Sequence, residues 1–181
     1  RDGRPLVPWL ARGAGAGIFT SWVERRYLGA QGADFALSLL GRGLVAGRAV
    51  WFYLGQIVWP AGLNFVYPRW PVDAAVWWQW LFPLGLLAGL AAGWSVRRRT
   101  RAPLAVALLF VGTLFPVLGF VNLYGALFSW VWDHWQYLAD FGPLALAGAG
   151  LAHAGAWAGP RLRWLGPALT AALGVLFGAL I

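Results

Sequence analysis

The densest polar cluster in the chain is Asp133 beside His134, inside the aromatic run Phe128-Ser129-Trp130-Val131-Trp132-Asp133-His134-Trp135-Gln136-Tyr137. An acid and an imidazole at one spot can bind a phosphate, ligate a metal or transfer a proton. Neighbours on a helix point about 100° apart, so these two would not form a dyad with each other. The plainer role for Asp133 is electrostatic, as an acid at the N-terminal end of the helix that follows. A second place is Arg69, between Tyr67 and Trp70 in a stretch that carries Pro60, Gly62, Pro68 and Pro71. Each Pro removes an N–H and clashes with the preceding turn, so no continuous helix forms there. A planar guanidinium among aromatic rings both stacks and donates twice, which suits a phosphate; anchoring to lipid headgroups uses the same properties. The third place is Trp22-Val23-Glu24-Arg25-Arg26-Tyr27, with the only Glu of the chain. It reads either as an interfacial anchor or as a charged pair at the mouth of a cavity open to an anion.

Other chemistry is missing. The sequence has no Gly-x-x-x-x-Gly-Lys phosphate loop, no His-Glu-x-x-His and no Gly-x-Ser-x-Gly. It has no Cys, so neither a disulfide framework nor a thiol nucleophile is available. The six acids are dispersed, and His153 stands alone among Ala and Gly, as a packing residue would. No metal site and no cofactor is evident.

The elements that must hold these residues are apolar. Hydrophobic residues make up 60% of the 181 positions and charged ones only 11%, against about 25% in a soluble domain. This excludes an ordinary soluble protein and predicts an all-α, polytopic integral membrane bundle. The net charge of +8 comes entirely from 14 Arg. These sit between apolar runs rather than on one solvated face, so they report membrane orientation and not nucleic-acid binding. With no Met and an opening Arg-Asp-Gly, the chain reads as an internal fragment.

A spanning helix needs roughly 20 mostly apolar residues. The segments Leu6–Val23, Val76–Val96, Ala102–Val121, Tyr137–Trp157 and Trp164–Ile181 approach this, which predicts about five spans. A sixth, Leu44–Trp59, is short, contains Arg48 and ends at Pro60; it is expected as a re-entrant or interfacial helix, since mid-bilayer charge costs about 2.5–3.5 kcal/mol. The blocks Arg97-Arg98-Arg99-Thr100-Arg101, Arg161-Leu162-Arg163 and Arg1 with Arg4 then all face the cytoplasm. Residues 24–75 and 122–136 lie together on the other side, in a single transmembrane module.

At these segments the sequence resembles the membrane domain of bacterial tetratricopeptide-repeat proteins related to protein O-mannosyltransferases. The resemblance is carried by Trp22–Arg25, Gly29–Ala33, Phe35–Leu39, Ala46–Gly55, Trp59–Trp70, Trp78–Pro83, Gly112–Phe120 and Asp133–Ala139, and it covers roughly Pro5 to Gly142. The Tyr-Pro-Arg-Trp block at 67–70 and the Asp-His-x-Gln-Tyr-Leu block at 133–138 are its more specific parts. The sequence departs from the family at Leu123–Leu127, where an Arg and aromatics are usual, and at Trp132, where a small residue is usual.

The resemblance implies part of a C-type glycosyltransferase fold. Its donor would be a polyprenyl-phosphate-linked sugar and its acceptor a hydroxyl, on a protein among other candidates, at the non-cytoplasmic face of a bacterial inner membrane. The catalytic acid would lie upstream of Arg1, leaving the catalytic residue unknown here. Arg25, Arg69, Asp133 and His134 are then expected to hold the lipid phosphate or donor, supported by Glu24, Tyr67, Trp70, Gln136 and Tyr137. The alternative is a non-catalytic membrane scaffold or lipid-binding anchor for a tetratricopeptide-repeat domain.

Overall fold

The computed structural model describes residues 4–157 and 164–180; Arg1 and the expected basic block at Arg161 and Arg163 lie outside the described residues. Among the described residues six α-helices follow in order: α1 Val7–Arg26, α2 Leu39–Val58, α3 Leu81–Val96, α4 Ala102–Leu114, α5 Tyr137–Trp157 and α6 Leu165–Leu180. Short 3-10 turns stand between them, including Trp77–Trp80 ahead of α3, Tyr124–Leu127, and Asp133–Trp135 ahead of α5. No strand occurs among the described residues.

The helices start and stop for local reasons. Pro8 and Pro103 sit in the first turns of α1 and α4, where a missing N–H costs nothing. The Ser38 hydroxyl caps α2 by accepting from the Gly41 N–H at 3.1 Å. α4 tightens into a 3-10 turn at Phe115–Val117 around Pro116, and Gly119 follows with φ +86°.

The core forms around α2. Ala46, Ala49, Val50 and Tyr53 line one face of that helix and pack with Phe110 and Leu114 of α4, with Leu118 and Val131, and with Ala139 of α5. Positions 46, 49, 50 and 53 fall at helical spacing, which makes this stripe continuous. α2 also lies close against α3, because Gly47 has no side chain: a Cβ there would meet the Pro83 N at 2.5 Å. Trp51 Nε1 donates to the Phe82 carbonyl across the same seam at 2.9 Å. α4 packs along α5, with Gly142 against Val106.

The expected bundle of about five spans is not what forms. Among the described residues one helical stretch, Trp77–Val96, is long and apolar enough to cross a membrane. Ala102–Val117 and Gly166–Leu180 are apolar but too short. The apolar run Ala102–Val121 does not stay helical, because Pro116 and the left-handed Gly119 end it. α1 and α5 have the length, at 20 and 21 residues, but they are rich in Gly and Ala, and each carries a charged residue, Arg12 or Asp140, near its start. Leu44–Trp59 belongs to the longer helix α2, whose inner face is core.

Apolar surface remains on the outside. The chain exposes 12362 Å², where a compact soluble monomer of this mass would expose about 8,600 Å². Leu81, Leu84 and Leu87 of α3 are all more than half exposed, and neither α1 nor α3 has a buried residue.

Candidate functional site

Tyr67 is the centre of the best-connected polar cluster. Its hydroxyl donates to Asp133 Oδ1 at 2.7 Å and accepts from Gln56 Nε2 at 3.2 Å and from the Asn64 N–H at 2.9 Å. One donor and two acceptors exhaust what a phenol hydroxyl can do. Burial first, and then the Asp133 carboxylate, push the Tyr67 pKa up to about 12. The phenol therefore stays protonated and keeps donating. Beneath it, the Tyr53 hydroxyl accepts from the Trp132 N–H at 3.1 Å and lies 3.4 Å from the Trp132 carbonyl. This fixes the backbone just before Asp133. Burial is also the main reason the Tyr53 pKa is raised.

His134 lies beside this cluster in an aromatic nest. It stacks on Phe65 with ring centres 5.0 Å apart and meets Trp132 and Trp135 edge-on. Arg69 is held on another side of the same loop. Its guanidinium lies 4.0 Å over the Trp130 ring and donates to the Leu127 carbonyl at 3.3 Å. Trp130 in turn donates to the Trp70 carbonyl at 3.0 Å. The Trp59–Trp70 stretch and the segment before α5 are thus knitted together by side chains rather than by a backbone ladder.

Arg25 belongs to a different place. It lines a groove of about 960 Å³ between α1 and the stretch that runs from Phe115 to Leu123. Gly13, Gly17 and Ile18 form part of its apolar wall, and Arg25 with Arg26 stands at the end of α1. Glu24 turns away and accepts from the Tyr124 N–H at 2.7 Å, which ties the end of α1 to the Tyr124–Leu127 turn. The four expected phosphate-binding residues therefore divide. Asp133 and His134 adjoin Tyr67, Arg69 stacks on Trp130, and Arg25 opens on the groove. Of the supporting residues, Gln136 is buried with its Oε1 unpartnered, and Tyr137 is exposed at the start of α5.

Three polar residues of α2 were given no site role by the sequence, Arg48 having been read only as a charge that keeps Leu44–Trp59 from crossing. Arg42 donates to the carbonyls of Phe35 and Gly119 and to Asn122 Oδ1 at 2.8 Å, joining the start of α2 to the chain after α4. Gln56 serves Tyr67, and Arg48 sits under the Trp70 ring at 4.7 Å. Their signal is the interruption of an otherwise apolar helix by polar groups. No group of three or more His, Cys, Asp or Glu able to hold a metal ion occurs among the described residues.

No family model, curated protein or solved structure matches this chain.

Proposed function

We propose that this chain binds a polyprenyl-phosphate-linked sugar at a membrane surface, as part of a glycosyltransferase-like protein acting on a hydroxyl acceptor. The observation that carries the reading is the groove beside α1: a mostly apolar space of about 960 Å³ lined by that helix from Gly13 to Arg26, with Arg25 and Arg26 at the helix end. A prenyl chain needs an apolar wall, and its phosphate needs planar, multiply donating cations at the end of that wall. The exposed apolar surface supports a bilayer as the surroundings, with Trp77–Val96 crossing it and Arg97–Arg101 on the cytoplasmic side of a bacterial inner membrane. Charge stabilisation of the phosphate is the contribution of this part of the protein.

A specific observation favours a second reading, a non-catalytic lipid-binding scaffold. Asp133 is engaged by Tyr67, so the acid beside His134 is not poised as a base. The catalytic acid of an active transferase would come from elsewhere.

The test is binding of undecaprenyl phosphate to the full chain in detergent. Gly17 lines the groove and a Cβ there meets nothing within 4 Å, so Gly17→Trp places an indole in the groove. We expect Gly17→Trp and the double change Arg25→Gln, Arg26→Gln each to weaken binding by about tenfold or more, the loss that accompanies removal of a charge-assisted contact. Undiminished binding in both proteins refutes the groove as the lipid site.

A further inference from the structure

Arg48 lies on α2 where that helix meets the start of α3, outside both the groove and the Tyr67 cluster. Its guanidinium carbon is 4.7 Å from the Trp70 ring centre and 5.7 Å from those of Trp78 and Phe82. The three rings come from a loop, a 3-10 turn and a helix, and each of these is fastened separately. The Trp70 carbonyl accepts from Trp130 Nε1. The buried Gln79 donates to the Pro71 carbonyl at 3.3 Å and accepts from the Asp73 N–H at 3.2 Å, holding the turn against the loop. Trp51 bonds the Phe82 carbonyl, and Gly47 admits Pro83. Arg48 is therefore seated in a collar built by three stretches of chain.

The three rings surround the guanidinium carbon, and a ring offers no lone-pair acceptor to its N–H groups. A guanidinium has five in-plane donors and no acceptor. Among the described residues neither a carboxylate nor any other hydrogen-bond acceptor meets those of Arg48. Asp73, which lies between Trp70 and Trp78 in the sequence, accepts through its Oδ1 from the Ala75 N–H at 2.8 Å. Burial lowers the Arg48 pKa from the ordinary guanidinium value, the direction expected for a cation drawn out of water without a neighbouring acid. A half-buried, unpaired cation invites an anion with several acceptor oxygens.

The position narrows which anion. Trp77 and Trp78 are 73% and 40% exposed at the start of the helical stretch able to cross a membrane. Exposed Trp at that level is characteristic of the bilayer–water interface, where lipid phosphates lie. We propose that Arg48, framed by Trp70, Trp78 and Phe82, binds the phosphate of an anionic phospholipid headgroup. This rests on Trp77–Val96 lying in a bilayer and is independent of the polyprenyl-phosphate groove. Inorganic phosphate offers the same oxyanion, so the test has to separate the two sources.

The full chain carrying Arg25→Gln and Arg26→Gln, which removes the charge of the groove, is mixed in neutral detergent with dioleoyl phosphatidylglycerol or dioleoyl phosphatidylcholine. Retained lipid is counted by native mass spectrometry. We expect phosphatidylglycerol to be retained about tenfold over phosphatidylcholine, the scale of charge-assisted hydrogen bonding. Adding Arg48→Gln should bring the ratio close to unity, while Arg48→Lys keeps part of it, as a point charge without the planar fork. A large excess of inorganic phosphate should leave the retained phosphatidylglycerol in place; displacement assigns the site to a free oxyanion and overturns the lipid assignment. Equal retention of the two lipids with Arg48 intact overturns the proposal, whether or not the Gln variant folds. So does an unchanged ratio in a folded Arg48→Gln protein. If the chain with Arg25 and Arg26 intact fails to bind undecaprenyl phosphate while the phosphatidylglycerol preference persists, the groove reading alone is overturned.

Discussion

Replacing Gly47 by Ala and, separately, Gly43 by Ala tests the packing that seats Arg48. Both glycines lie within α2, and on helix propensity alone each change should stabilise by about 1 kcal/mol, because Gly loses more backbone entropy than Ala on folding. The surroundings differ. A Cβ on Gly43 meets nothing within 4 Å, whereas one on Gly47 would sit 2.5 Å from Pro83 N, 2.7 Å from its Cδ and 2.8 Å from its Cα. The opposing atoms are backbone and ring, which no rotamer change can clear, so α2 and α3 must move apart. Overpacking of this kind costs about 1–3 kcal/mol, and here it outweighs the propensity gain. Gly43→Ala should therefore raise the melting temperature in detergent and Gly47→Ala lower it, with each kcal/mol worth about 2–4 °C in a chain of this size. The Arg48 collar spans the same seam, so Gly47→Ala should also lower the phosphatidylglycerol preference while Gly43→Ala leaves it intact. A Gly47→Ala protein at least as stable as Gly43→Ala would refute the close α2–α3 approach, and the collar argument with it.

Two further outcomes follow from the hydrogen-bond networks. Tyr67→Phe removes one donated hydrogen bond, to Asp133, and two accepted ones, from Gln56 and Asn64, and should destabilise by about 1–3 kcal/mol, read as a fall in melting temperature. Tyr67 also sets a pH dependence. Its pKa rises from 10.0 in the unfolded chain to about 12 in the fold, so the folded state holds the proton longer and stability must fall as pH rises through that window. Melting temperatures between pH 8 and pH 12 should show a shallower alkaline decline in Tyr67→Phe than in the unchanged protein; identical slopes would contradict the raised Tyr67 pKa, and with it the burial that chiefly raises it. Arg42→Ala leaves the carbonyls of Phe35 and Gly119 and the side chain of Asn122 without their shared donor. A loss of about 2–4 kcal/mol is expected, and Arg42→Lys should recover only part of it, since one ammonium cannot replace a planar fork.

Particular elements separate what was legible in the sequence from what was not. The helical stretch Trp77–Val96 coincides with the expected segment Val76–Val96, because an unbroken apolar run without charge has one stable solution, a helix. The irregular stretch after Trp59 was equally readable, since Pro60, Gly62, Pro68 and Pro71 act locally on the backbone. The count of spans was not. Apolar composition sets how much surface must leave water, but Pro116 and Gly119 cut the helix after Leu114, and the Gly- and Ala-rich helices α1 and α5 fall short in apolarity.

The site divides along the same line. Residue type alone singled out Arg69, Asp133 and His134, because charge in apolar surroundings is costly and therefore conspicuous. Which partner each one meets was decided by the tertiary structure. Tyr67 reaches Asp133 across 66 positions, and Arg42 reaches Gly119 across 77 and Asn122 across 80. Arg25 and Arg69 end up at different places although both are cations set among aromatic rings. Local sequence determines which backbone conformations are open and which side chains carry charge. Only the packing of α2 against α3, α4 and the loops brings donors and acceptors into hydrogen-bonding distance, because hydrogen bonds are short-ranged and their geometry is fixed by chain segments far apart in sequence.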